Sequence, residues 1–307
     1  MRVLERKNSH LLAQAVINVD IGDICCAIKC QDPYLFGKFA DMYSNFQSQK
    51  PADITIEVQA VNRMSLPEAK AALLQTRITR DGNRFVANKL MLETEFDTAN
   101  RIVRVTVEKG LFDPSMEFKL MNRLLTVAYY TACKAKFEGS PPAMLVHSCG
   151  IARNGHALLF TGPCESGKTT VARLCGTEHG EVLNDEMVLV SQSRNEAMEV
   201  RGAPIIGGLA QRRNAGAPLK CVLVLKQSRV TELHKLSRLE ACVRFMRQVV
   251  SPAHFGPVDR RTFWSLIADF SYEVTRITPF YELEFTLDKG KLWSVIGDLE
   301  NALEKEE

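Results

Sequence analysis

The stretch best equipped for chemistry is Gly162-Pro163-Cys164-Glu165-Ser166-Gly167-Lys168-Thr169, which fits G-x-x-x-x-G-K-[ST] at every fixed position. Glycines let such a loop take backbone angles denied to other residues and bring its amides close to an anion. Lys168 would place a point charge on the outer phosphates of a nucleotide, and the Thr169 hydroxyl could ligate a divalent metal. Thr170 lies in the first turn of the following helix, whose positive end completes the cradle. Gly162 to Thr170 therefore read as a phosphate-binding loop for ATP, or another nucleoside triphosphate, with Mg²⁺.

A second chemical element follows seventeen residues after Lys168, where Glu181-Val182-Leu183-Asn184-Asp185-Glu186 ends a short apolar segment in two carboxylates. Asp185 and Glu186 could hold the metal, directly or through water, or accept a proton from an attacking hydroxyl. The plainer reading is a solvated turn after an edge strand. Within the loop, Glu165 is electrostatically awkward unless its carboxylate points outward. Cys164 is either a reactive thiol in an electropositive loop or a small residue that fits a tight turn.

These residues need a strand before the loop and a helix after it. Ala157-Leu158-Leu159-Phe160 supplies the first, and Thr170 to Cys175 the second, with Gly176 as its cap. Further strands are expected at Met144–His147, His156–Thr161, Cys221–Leu225 and Tyr281–Thr286. Helices are expected at Leu239–Val250, Phe263–Val274 and Lys291–Ala302. That succession makes the C-terminal half α/β.

Upstream the order is α+β. Ile21–Lys29 is a short apolar stretch, and Pro33–Phe46 carries helical spacing through Leu35, Phe36, Phe39, Met42 and Tyr43. Asp53–Val58 and Arg101–Val107 alternate with the strand period, and Asp81-Gly82-Asn83 reads as a hairpin turn between Thr76–Thr79 and Arg84–Ala87. Met116–Lys136 has a long helical pattern. Phe137-Glu138-Gly139-Ser140-Pro141-Pro142 looks like a linker, which divides the chain into residues 1–138 and 139–307.

The bulk numbers fit that division. The chain has 307 residues, 46% apolar and 24% charged, and a net charge of +3. Two globular units with real cores are expected, and a strongly basic nucleic-acid binder is disfavoured. Nine scattered cysteines suit reduced thiols in the cytoplasm better than a disulfide framework. Neither a signal core nor a membrane-length apolar run is present, so no membrane partner is expected.

At the loop and the acidic pair the sequence resembles the HPr kinase/phosphorylase-related P-loop kinases, whose catalytic fold is shared with ATP-dependent phosphoenolpyruvate carboxykinase. Leu183-Asn184-Asp185-Glu186 is similar to that family's L-S-D-D or A-D-D segment. His147 begins a strand–turn–strand leading into the loop, where the family also has a histidine. Thr278-Pro279-Phe280-Tyr281-Glu282-Leu283 resembles a V-P-V-Y-x-L strand, and Glu199-Val200-Arg201-Gly202 an E-I-R-G segment. The resemblance covers residues 143–290 well; residues 1–135 resemble only loosely the mixed domain that precedes the kinase domain in related proteins.

The resemblance implies Lys168 and Thr169 at the phosphates and metal, and Asp185 as base or metal carboxylate with Glu186 beside it. It implies His147 near the reacting phosphates, Glu199 near the metal and Arg201 near the active site. Cys164-Glu165 replaces the family's usual Ser-Gly. No clear copy of the glycine-rich loop that engages HPr is present, so HPr itself is not the expected acceptor. The expected activity is transfer of phosphate to a hydroxyl, serine first, of a protein, peptide or small molecule. A nucleotide-responsive regulatory module with little turnover is the alternative, favoured by Glu165 and the missing second aspartate. A carboxykinase-like reaction on a small acid is a third. Homo-oligomerisation is left open.

Other candidates carry less. Cys25-Cys26-x-x-x-Cys30 has no second ligand cluster at metal spacing and reads as core filling. His179 and His234 are expected to be exposed, and His156 to be structural. His254 is placed in a loop that could form a lid. Among Arg212, Arg213, Arg244, Arg247, Arg260 and Arg261, one could clamp a phosphate, with a solvated helix face as the default.

Overall fold

Alternating and continuous apolar runs build two sheets joined by one long helix. The structure is a computed structural model that describes residues 15–61, 77–81, 84–89, 92–108, 114–137, 142–193, 195–209, 211–252 and 260–305. His254, the Gly82-Asn83 turn and most of the expected linker lie outside the described residues.

The first sheet has seven strands: β1 (Ala15–Ile21), β2 (Ile24–Cys30), β3 (Ile54–Val61), β4 (Arg77–Asp81), β5 (Arg84–Lys89), β6 (Leu92–Asp97) and β7 (Ile102–Glu108). Their order is β1-β2-β3-β7-β6-β5-β4. The pairs β2–β3 and β3–β7 are parallel and the others antiparallel. The apolar stretch Ile21–Lys29 is thus divided between two strands that fold back at Gly22-Asp23, with Ile21 paired to Ile24. Helix α1 (Pro33–Met42) is capped by Asp32, whose carboxylate accepts from the amides of Tyr34 and Leu35. It is shorter than its apolar spacing suggested, because Ser44–Phe46 tighten into a 3₁₀ turn.

Helix α2 (Pro114–Lys136) joins the two sheets. Met121, Leu124, Leu125, Val127, Ala128, Tyr129, Tyr130, Ala132 and Cys133 are all buried, so this stretch is covered on every side. It packs on β2 and β3. Toward the second sheet, the Tyr129 hydroxyl donates to the Ala143 carbonyl (2.7 Å) and the Leu145 amide donates to the Tyr130 hydroxyl (3.0 Å). One continuous apolar core runs from the first sheet through α2 into the second.

The second sheet has nine strands: β8 (Ala143–Val146), β9 (Ser148–Arg153), β10 (His156–Thr161), β11 (Glu181–Asn184), β12 (Val188–Gln192), β13 (Met198–Gly202), β14 (Gly216–Gln227), β15 (Glu232–Lys235) and β16 (Phe280–Phe285). Strand β14 is the hinge of this sheet. Its beginning pairs with β13, antiparallel, while its end lies parallel to both β10 and β16. Helices α3 (Lys168–Cys175), α4 (Arg238–Met246), α5 (Arg260–Ile277) and α6 (Lys289–Glu304) complete a mixed α/β architecture. Helix α4 stops before the expected Val250, because residues 248–250 turn to pair with β8: the His147 amide donates to the Gln248 carbonyl and the Val250 amide to that of Leu145, both at 2.8 Å.

All nine cysteines are free. Cys25, Cys26 and Cys30 are buried, as core filling requires. Among the described residues, no helix is long and apolar enough to cross a membrane.

Candidate functional site

Strand β10 sits between antiparallel β9 and parallel β14, and Ala157 to Thr161 are all buried. The chain leaves its carboxyl end at Gly162 and enters α3 at Lys168. In open α/β sheets, ligands favour the crevice at such strand ends. Gly167 caps α3 in the left-handed region (φ 107°). A β-carbon there would lie 2.6 Å from the Phe285 ring, so both conformation and space require glycine. Thr169 and Thr170 are half-buried in the first turn of α3.

Inside the loop, Lys168 is 6% exposed and donates to the carbonyls of Gly162 (2.9 Å) and Pro163 (3.0 Å). Burial lowers its pKa, against the opposing pull of Glu186. The Ser166 hydroxyl is buried with no hydrogen-bond partner among the described residues. Cys164 and Glu165 are exposed, and the Glu165 carbonyl accepts from Gln227 Nε2 (2.7 Å). The electrostatic objection to a carboxylate in this loop is therefore met by its position in solvent.

The acidic pair sits at the end of β11, held by Asn184. Its amide nitrogen donates to the carbonyls of Ala203 (2.8 Å) and Ile205 (2.7 Å), and its oxygen accepts from the amides of Glu186 (2.7 Å) and Met187 (3.0 Å). Every hydrogen-bonding direction of this buried side chain is used. Asp185 is 1% exposed, so it does not belong to a solvated turn. Its carboxylate accepts from the amides of Gly208 (3.1 Å) and Leu209 (3.3 Å), and makes no ion pair among the described residues. A methyl group at Gly208 would lie 3.3 Å from Asp185 Oδ2 and 3.4 Å from Thr169 Oγ1, so hydroxyl and carboxylate open onto one small space.

His147 lies between β8 and β9, with Nε2 3.7 Å from Glu186 Oε1. Its pKa is lowered to about 4, by burial first and by Lys168 second. The close carboxylate would favour the charged imidazole. Burial and Asp185, however, raise the pKa of Glu186 and so weaken that pull. We read His147 as neutral at pH 7. The structure thus brings Lys168, Thr169, Asp185, Glu186 and His147 to one place.

Other expected residues go elsewhere. Glu199 and Arg201 on β13 are exposed. His156 Nε2 is 2.8 Å from the buried Glu300 at the far end of β10 from the loop, a structural place. His234 is exposed, but His179 is half-buried and stacked on Trp293 (ring centroids 4.8 Å apart), where exposure was expected. Arg212 is tied to the carbonyls of Met42 (2.6 Å) and Pro204 (3.4 Å), Arg213 pairs with Glu181 (3.5 Å), and Arg244 pairs with Glu282.

Sequence reasoning missed Gly207, Gly208 and Asn122. The glycine pair was the visible signal, since a strap that presses against a buried side chain needs residues without one. Asn122 gave none, lying in an apolar helix pattern 84 residues from its partner.

Residues 109–302 match the family model described as SynChlorMet cassette protein ScmC. No curated protein matches the chain. Among solved structures, the Hpr(Ser) kinase/phosphatase from Coxiella burnetii is similar at 9% identity, over 53% of this chain and 99% of that one, with a TM-score of 0.31. That likeness is too loose to assign a fold or an activity.

Proposed function

The chain belongs to the SynChlorMet cassette protein ScmC family, and from the geometry of its loop and buried carboxylate we propose that it is an ATP- and Mg²⁺-dependent phosphotransferase acting in the cytoplasm. Its acceptor is a hydroxyl, serine first, on a protein, peptide or small molecule. Residues 139–307 would form the P-loop kinase unit, and residues 1–138 the unit that recruits the acceptor or a partner.

One observation carries the reading: Asp185 is buried beside Thr169 with two long amide hydrogen bonds and no ion pair among the described residues. A buried carboxylate is costly unless a positive charge joins it. The site fits phosphates and a metal. Ser166 has a buried hydroxyl without a partner among the described residues, and Lys168 points its ammonium at the loop carbonyls. Thr169, Asp185 and Glu186 are the candidate metal ligands. Mg²⁺ commonly takes one or two carboxylates plus substrate phosphates and water, which this sparse set would provide. The bound metal would neutralise charge on the phosphates.

The remaining steps belong to the chain's own residues. Loop amides and Lys168 bind and orient the triphosphate. The acceptor oxygen bonds to the γ-phosphorus as the bond to the β–γ bridging oxygen breaks, and the electron pair leaves with the nucleoside diphosphate. Asp185 orients the hydroxyl and takes its proton. Neutral His147 can donate or accept one hydrogen bond beside Lys168 without adding charge.

The test is incubation with γ-labelled ATP and Mg²⁺, in the presence of free serine and a cell extract. Label transfer should require Lys168, and Asp185→Asn should lower it about 10²- to 10⁴-fold with nucleotide still bound. Full transfer by Asp185→Asn would remove that residue from the chemistry. Lysine-dependent binding with no transfer would favour a regulatory module instead.

A further inference from the structure

We infer that Asn122 is a positioning residue for Asp185: helix α2 reaches across to set the strap that holds the buried carboxylate. The side-chain amide of Asn122 donates to the Ile206 carbonyl and its oxygen accepts from the Ile206 amide, both at 2.8 Å. Both bonds fall on one residue, as a neighbouring strand would place them. Two residues on, Gly208 donates to Asp185, and Leu209 follows. Asn184 fixes the segment just upstream of Ile206, at Ala203 and Ile205.

The glycines that follow these anchors explain why the clamp matters. Gly207 and Gly208 have the widest conformational freedom of any residues. Their placement against Asp185 must come from bonds on either side, and Asn122 supplies those immediately upstream. The far end of the segment is tied to the same half of the chain. Arg212 donates to the Met42 carbonyl at the end of α1, and Asn45 donates to the Arg212 carbonyl (3.3 Å). Displacing α2 would therefore move the amides that orient Asp185, and a partner bound to residues 1–138 would have a route to the site.

The inference rests on the proposed nucleotide site only in its second readout. The first is hydrogen exchange of the whole protein, wild type against Asn122→Ala and Asn122→Asp, the latter keeping the acceptor for the Ile206 amide. Exchange at Gly208 and Leu209 should quicken about 10-fold in both variants, while β10 and α3 stay protected. Thr126→Val serves as control: it removes a hydrogen bond to the Asn122 carbonyl within the same helix and should leave Gly208 and Leu209 unchanged.

The second readout is ATP affinity with and without Mg²⁺. The gain in affinity on adding Mg²⁺ should shrink about 10-fold in the Asn122 variants, with metal-free affinity unchanged. Unaltered exchange at Gly208 and Leu209 in both variants would overturn the inference. So would equal quickening in Thr126→Val. Wild-type protein that bound no nucleotide would overturn the proposed function instead, and the exchange result would still decide the clamp.

Discussion

Replacing Gly207 with alanine should loosen the site without replacing any side chain assigned to chemistry. The new methyl would collide with Asp185 Oδ1 and stand 2.9 Å from both Asp185 Cγ and Glu186 Cβ. Ordinary carbon contacts begin near 3.5 Å, so the strap must retreat by at least about 0.5 Å. The Gly208–Asp185 and Leu209–Asp185 bonds are already long at 3.1 and 3.3 Å, and that retreat breaks them. Hydrogen bonds to a charged group are worth about 1.5–3 kcal/mol each, and the length of these two places them at the low end, about 3 kcal/mol together. Reduced freedom of the unfolded chain returns about 0.5–1 kcal/mol. The expected net loss is about 2 kcal/mol, read as a lowered urea midpoint at constant slope. Gly297→Ala is the matched control, since a methyl there meets nothing within 4 Å inside α6, and should stabilise by about 0.5–1 kcal/mol. If Gly207→Ala were as stable as wild type, the strap would not be pressed against Asp185 as described.

The His147 ring should titrate near pH 4 rather than near 6.5, which its own NMR signals would show, and a midpoint at or above 6.5 would contradict the burial described for it. Because its folded pKa is lowered, the unfolded chain takes the proton first. This residue's contribution to stability is therefore intact above about pH 6.5 and lost as pH falls toward 4. Glu300→Leu should cost about 3 kcal/mol by leaving Arg153 and His156 without their buried carboxylate, yet leave nucleotide affinity unchanged, since the pair lies at the far end of β10 from the loop. Unfolding curves and binding isotherms on the same variant check both halves of that statement.

The local pieces of this fold were legible because their signals are local. The loop from Gly162 to Thr169 is bounded by a strand and a helix where its glycines and apolar neighbours placed them, and Asp185 follows at the end of β11. Helix α4 is shorter than expected because Val249 and Val250 extend an apolar spacing compatible with a helix, while the backbone of residues 248–250 pairs beside β8. The burial of His179 against Trp293 depends on a ring more than a hundred residues away. Asn122 belongs to the same class, acting through a partner 84 residues away that no pattern around it records, whereas Gly207 and Gly208 stand as a visible pair.

Residues 162–169 and Asp185 are proposed to form one nucleotide and metal site. Crystals grown with Mn²⁺ and a non-hydrolysable ATP analogue test it most directly through the anomalous signal of the manganese. The triphosphate should lie in the loop, with the manganese peak between the Thr169 hydroxyl and the Asp185 carboxylate. A nucleotide bound elsewhere, or a metal held away from Asp185, would contradict it.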